Sequence, residues 1–294
     1  MDQAEQLRKL VGQQIQHSGS TRVIAVTSGK GGVGKTSLSV NLAIQFSKKG
    51  KRVVIIDADF GLANVEIMLG IRPRYTMSDL IHNDMSIDEI ITEGPMGIGF
   101  ISGGSGVQDM VNLDKEQLRI LIGKLVRLDT LADIVIVDTG AGISDSVLEF
   151  VLSSPEVLIV ATPEPTSITD AYSLLKTVNR NKEFIPEEKK IQIIANRVSS
   201  REEGREIYEK LNIVATKFLN IHLEYLGEIF QDANVSKAVI EQKPVSLAYP
   251  NSVSVKSYQE ICNRMTEEEE GQDEEKGGIA KFFLNFIRQK KKKY

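Results

Sequence analysis

With 294 residues, 41% of them hydrophobic and 26% charged, the chain has room for one large domain or two small ones around a full core. A net charge of −4 excludes an overall nucleic-acid signature, and the single cysteine, Cys262, excludes an intrachain disulfide or thiolate cluster. No apolar run is long enough to span a bilayer and the N-terminus lacks a signal-peptide core, so a reducing cytoplasmic setting is expected.

In the first 20 residues, Ala4, Leu7, Val11 and Ile15 form a narrow apolar stripe, too short for a stable isolated helix. Ser18-Gly19-Ser20 separates this segment from Val23-Ile24-Ala25-Val26, a β-branched run that reads as a buried strand. Gly29 to Thr36 then reads GKGGVGKT and satisfies G-x-x-x-x-G-K-[ST], the phosphate-loop pattern. Its glycines let several N–H groups converge on one anion, and the following helix turns its positive end to the same point. The expected contacts are Gly31, Gly32, Val33, Gly34, Lys35, Thr36 and Ser37. Lys35 reaches the terminal phosphates and the Thr36 hydroxyl holds a magnesium ion. Lys30 is not needed for that cradle. Leu38, Leu42, Ala43 and Phe46 recur at helical spacing, and Gly50 stops the helix.

Apolar runs follow at Val53–Ile56, Ile134–Val137, Val157–Val160 and Ile191–Ala195, with weaker ones at Ile98–Ile101 and Tyr225–Ile229. Helical patterns separate them, as at Asp114–Leu128 and Thr169–Val178. This alternation predicts an α/β fold: a mostly parallel sheet covered on both faces, with ligands at the C-terminal strand ends. Asp57 and Asp59 follow the second run. If the strand has ended there, one can hold the magnesium shell and the other can orient water for attack on a γ-phosphate. Alternatively, either caps the next helix. Asp138 follows the Ile134 run and takes the usual place of the magnesium partner, before Gly140 and Gly142 in a loop able to rearrange. Asn196 and Arg197 follow the Ile191 run; Asn offers the donor and acceptor that an adenine edge requires.

The chain divides into an N-terminal segment (1–20), a body (21–265), an acidic flexible linker (266–278) containing EEEEGQDEE, and a C-terminal helix (279–294). On that helix Ile279, Phe282, Phe283, Phe286 and Ile287 share one face, and Lys290, Lys291, Lys292 and Lys293 follow. Three phenylalanines with a basic tail suit a helix lying in an anionic membrane surface. The other possibility is a helix packed on its own body, and docked and released states can alternate with the nucleotide.

Lys30, the stretch DADFGLAN from Asp57, DTGAG from Asp138 and the late Asn196-Arg197 together closely resemble the MinD/ParA group of deviant Walker-A ATPases. The resemblance implies a single three-layer domain that binds ATP or ADP with Mg2+ and hydrolyses ATP. It implies that Lys30 crosses to a partner's nucleotide in an ATP-bound homodimer and that Asp59 is the hydrolytic aspartate. Asp57 and Asp138 would lie near magnesium, and Asn196 would contact adenine. Asp2-Gln3-Ala4 with Leu7-Arg8 resembles the activator segment of the FlhG (YlxH) family, which implies stimulation of an FlhF-type GTPase, with Gln3 nearest the chemistry. Flagellar basal-body (C-ring) proteins are further partners in that reading, and no specific nucleic acid is expected. The location implied is cytoplasmic and reversibly peripheral at the inner face of the cell membrane. A MinD-type division regulator and a ParA-like DNA partitioning ATPase are the alternatives; the C-terminal helix speaks against the second. A nucleotide-switched scaffold acting mainly through its N-terminus is a third. An iron–sulfur carrier would require paired cysteines.

Overall fold

The β-branched runs condense into one sheet because each is apolar on both faces and requires cover on both. In this computed structural model, which describes residues 21–59, 64–104, 115–270 and 278–291, the strands are β1 (Arg22–Thr27), β2 (Val53–Ala58), β3 (Thr92–Glu93), β4 (Gly99–Ser102), β5 (Ile134–Thr139), β6 (Glu156–Ala161), β7 (Lys190–Val198) and β8 (Glu224–Phe230). They form one eight-stranded sheet in the order β3-β4-β2-β5-β1-β6-β7-β8. Every pairing is parallel except that of β3 with β4. All the apolar runs read from the sequence are strands; the two-residue β3 was not foreseen.

The helices are α1 (Lys35–Lys48), α2 (Asn64–Leu69), α3 (Met77–His82), α4 (Ile87–Ile90), α5 (Lys115–Leu125), α6 (Leu128–Leu131), α7 (Asp145–Ser153), α8 (Pro165–Asn179), α9 (Arg201–Leu219), α10 (Ala233–Ile240), α11 (Val245–Ala248), α12 (Val253–Glu270) and α13 (Gly278–Lys291). Side chains along a strand alternate between faces, and the core divides accordingly. Ile24, Ile55 and Ile136 meet α1 and α12, through Leu42, Phe46, Tyr258 and Ile261. On the opposite face, Val23, Ile56, Val135 and Val137 pack with residues of α5, α6 and α13. Ile159 and Ile193 pack with α8 and α9. Helix α7 belongs to both groups on that face: Phe150 joins the former, and Val147, Val151 and Leu152 the latter.

Two features bear on the expected linker boundary and on the choice left open for the C-terminal helix. Helix α12 continues through Glu267 to Glu270, past the expected start of the linker at residue 266. Buried anchors upstream carry this helix outward: Tyr258, Ile261, Cys262 and Met265 lie in the core, and Arg22 donates to the Met265 carbonyl at 2.9 Å while pairing with Glu156 at 2.6 Å. Secondly, of the two expected states of α13 the docked one is present: the face that suits a membrane is packed on the body. Ile279, Phe282, Phe283 and Phe286 are buried there, about 1.5–3 kcal/mol for each fully buried side chain. The Asp129 carboxylate accepts from the Ile279 N–H at 2.9 Å, so the start of α13 is capped by a residue far away in sequence. The side chains of Ile287, Lys290 and Lys291, and all of Lys292 and Lys293, lie outside the described residues. Among the described residues, no helix is long and apolar enough to cross a membrane.

Candidate functional site

The loop after β1 lies at the centre of the sheet, where the neighbouring strands leave in opposite directions and open a crevice. Gly32 and Gly34 have φ of 77° and 100°, left-handed values that glycine tolerates. Gly31 and Gly32 form an open crest, and Val33 is buried beneath it. No side chain caps α1, and its first turn holds no acidic residue, so its N–H groups are left to attract an anion. Gly29 is required by packing: a Cβ there would stand 2.0 Å from the Asp170 carbonyl carbon of α8.

Behind the loop, β2 and β5 bring two carboxylates side by side, since Asp57 and Asp138 are register partners. The Thr36 hydroxyl donates to Asp138 at 2.7 Å, and Ser39, one helical turn on from Lys35, donates to its other oxygen at 2.7 Å. Burial, and then the Asp138 carboxylate, push Asp57 up to about 7. Burial raises Asp138 to about 6 against the pull of the Thr36 and Ser39 hydroxyls and the Lys35 charge. Burial lowers Lys35, opposed by Asp138 and Asp59, and its ammonium donates to the Ser28 hydroxyl at 3.1 Å. Two desolvated carboxylates beside a hydroxyl form an oxygen donor set that suits a hard cation retaining much of its water. Among the described residues, no three His, Cys, Asp or Glu side chains form a ready-made metal site. The set therefore fits magnesium completed by water and phosphate oxygens.

Asp59 lies just past the end of β2. Its N–H donates to Asp57 at 3.0 Å, and Asn64 reaches its carboxylate at 3.4 Å. Asp57 is the second-last residue of β2 and Asp59 lies just past it, so both reach the same crevice, and Asp57 also accepts from the Val65 N–H in the first turn of α2 at 3.5 Å, which makes it a cap of that helix as well. Asp59 also lies 3.6 Å from where a Gly140 Cβ would stand, so the loops after β2 and β5 touch. The Gly142 N–H donates to the Ser28 carbonyl at 2.9 Å, which fastens the second of these loops to the start of the phosphate loop.

Lys30 extends across the surface to the Glu164 carboxylate and donates to Thr166 at 3.1 Å. These two partners were missed from the sequence, although Glu164 follows a strand end as the acids do. Asn196 is buried and donates to the Val33 carbonyl at 2.6 Å, so it braces the phosphate loop. Arg197 is exposed with φ of 61°, and its N–H donates to the Asn196 side chain at 2.9 Å. Ser37 shares a hydrogen bond with Tyr258 at 3.1 Å, a second brace that was not foreseen. Asp2, Gln3, Ala4, Leu7 and Arg8 lie outside the described residues.

A central phosphate loop, flanked by acids at the ends of two parallel strands, defines a phosphate-loop nucleotide-binding protein. Residues 24–245 match the CobQ/CobB/MinD/ParA nucleotide binding domain. The chain is 41% identical over 244 residues to the antiactivator FleN of Pseudomonas aeruginosa, covering 83% of this chain and 86% of that one. It is 35% identical over 276 residues to the flagellum site-determining protein YlxH of Helicobacter pylori, covering 92% of each. Its fold matches a chain of the MinC:MinD cell division protein complex of Aquifex aeolicus with a TM-score of 0.65 and 23% identity, covering 84% of this chain and 96% of that one. The chain therefore belongs to the MinD/ParA nucleotide-binding family, in the branch that holds FleN and YlxH.

Proposed function

We propose that this protein is an ATP-hydrolysing switch that regulates the number or placement of flagella. The convergence of Thr36, Lys35, Asp57, Asp59 and Asp138 on one strand edge carries the enzymatic part. Likeness to the antiactivator FleN and to YlxH supports the flagellar part. Bound Mg2+ would supply charge neutralisation at the phosphates. Thr36 and the Asp57–Asp138 pair would hold it, and Lys35 would leave Ser28 for phosphate oxygens. Asp59, free of the strand, orients the attacking water. Lys30 lies exposed enough to leave Glu164 for the nucleotide of a second copy, which supports an ATP-bound homodimer.

In the same reading, α13 leaves its groove for an anionic membrane, and two helices on one dimer bind by avidity. The N-terminal residues Asp2 to Arg8 stimulate an FlhF-type GTPase, and C-ring proteins are further partners. The test is Mg2+-dependent ATP turnover with sizing. Wild type turns over and dimerises with ATP, whereas Asp59→Ala dimerises without turnover. Brisk hydrolysis by Asp59→Ala would move the catalytic role elsewhere.

A further inference from the structure

Helix α7 is short, and it touches something different at each end. Its N-terminal end follows Gly140 and Gly142 directly, with Ser144 at the N-cap position. Val147 lies 3.5 Å from where a Gly140 Cβ would stand, and Asp59 flanks the same position at 3.6 Å. Gly142 is bonded to Ser28 at the base of the phosphate loop. Asp59 and the phosphate loop are thus linked to the first turn of α7 through Gly140 and Gly142.

One turn further, the same helix holds the C-terminal helix. The Phe150 ring stacks on Phe282, with centroids 6.2 Å apart, and meets Phe286 at 4.6 Å. Phe282 and Phe283 meet edge to face at 4.9 Å, completing a four-ring cluster. At the far end of α7, the half-buried Lys189 donates to the Leu152 and Ser154 carbonyls at 2.6 Å each. That holds the C-terminus of α7, so displacement at the first turn is expressed as a tilt at Phe150. Packed side chains have discrete arrangements and transmit such displacements without absorbing them.

We propose that α7 is the lever coupling the nucleotide site to the docking of α13, with Val147 as its input and Phe150 as its clamp on Phe282 and Phe286. This rests on the switch reading given above and adds its mechanical link. A γ-phosphate that draws Asp59 and Gly140 toward it moves Val147, tilts α7 and loosens the ring cluster. Hydrolysis reverses the movement. Val147 and Phe150 supply none of the polar groups named for the nucleotide site, so the lever can be cut without removing them.

The experiment is hydrogen–deuterium exchange of the full chain over residues 278–291, with Mg-ADP against Mg2+ and a non-hydrolysable ATP analogue. Calorimetry on the same samples reports analogue binding. In wild type, exchange should rise with the analogue. Phe150→Leu retains apolar volume but loses both ring contacts, so exchange should be about tenfold faster in both states. Val147→Ala leaves the ring cluster intact but cuts the input, so exchange should stay slow in both states. These opposite outcomes, with the analogue still bound by both variants, are what a lever requires and a merely structural role does not. Analogue binding without a change in wild-type exchange would overturn the lever and leave the nucleotide reading standing. So would variants that keep the wild-type difference. Failure of the analogue to bind would overturn the switch reading itself, and the lever with it.

Discussion

Asp57 and Asp138 are two carboxylates held side by side out of water, which is unfavourable unless a cation or a proton is present. Both take up protons more readily folded than unfolded, so their contribution to stability is greatest below about pH 4. It is lost as pH rises through about 6 and 7. In magnesium-free protein, Asp57→Asn should raise the melting temperature at pH 8 by roughly 2–8 °C and leave it nearly unchanged at pH 4, as scanning calorimetry would read. Magnesium with nucleotide should abolish the advantage. Lys35→Ala removes the ammonium that lies in the field of Asp138 and Asp59 and donates to Ser28, so nucleotide affinity should fall by about tenfold to 100-fold in calorimetry. Normal binding and dimerisation in that variant would overturn the phosphate-loop assignment.

At the scale of elements, the strands and the phosphate loop are legible in the sequence because their signals are local: four apolar residues, eight residues of fixed spacing, an acid at a strand end. The pair of Lys30 with Glu164 was not legible, because the two residues are 134 positions apart and meet only once β1 and β6 lie side by side. Strand β3 and helices α3 and α4 are too short to show a period. The apolar face of α13 was legible but its destination was not, since a membrane interface and an apolar groove select the same side chains. That double demand shapes the test. Phe282→Glu with Phe286→Glu should abolish vesicle co-sedimentation and also lower the melting temperature, because both carboxylates would be forced into the core. Replacing Lys290 to Lys293 with glutamine should weaken binding to phosphatidylglycerol vesicles by about 1 kcal/mol per lost charge and leave the melting temperature unchanged.

For the whole molecule, the exposed pair of Lys30 and Glu164 lies at the mouth of the crevice, where a second copy would approach. Lys30→Ala should leave the monomer folded but show no ATP-dependent dimer in analytical sizing; a normal dimer would remove Lys30 from the interface. Deleting residues 2–8 should leave ATP turnover intact and end stimulation of an FlhF-type GTPase. Unchanged stimulation would transfer that activity to the body.

The position of α13 over β1 also bears on how the protein is made. Val23, in the first strand, shares a core with Ile279, Phe282, Phe283 and Phe286 near the other end of the chain. A nascent chain folding from its N-terminus can lay down the sheet and the face covered by α1 while that shared core is still open. Until the last helix emerges from the ribosome, the groove beside Phe150 is bare apolar surface, exposed to chaperones and to other growing chains. The helix that covers the groove beside Phe150 is thus also the piece that seals the protein at birth.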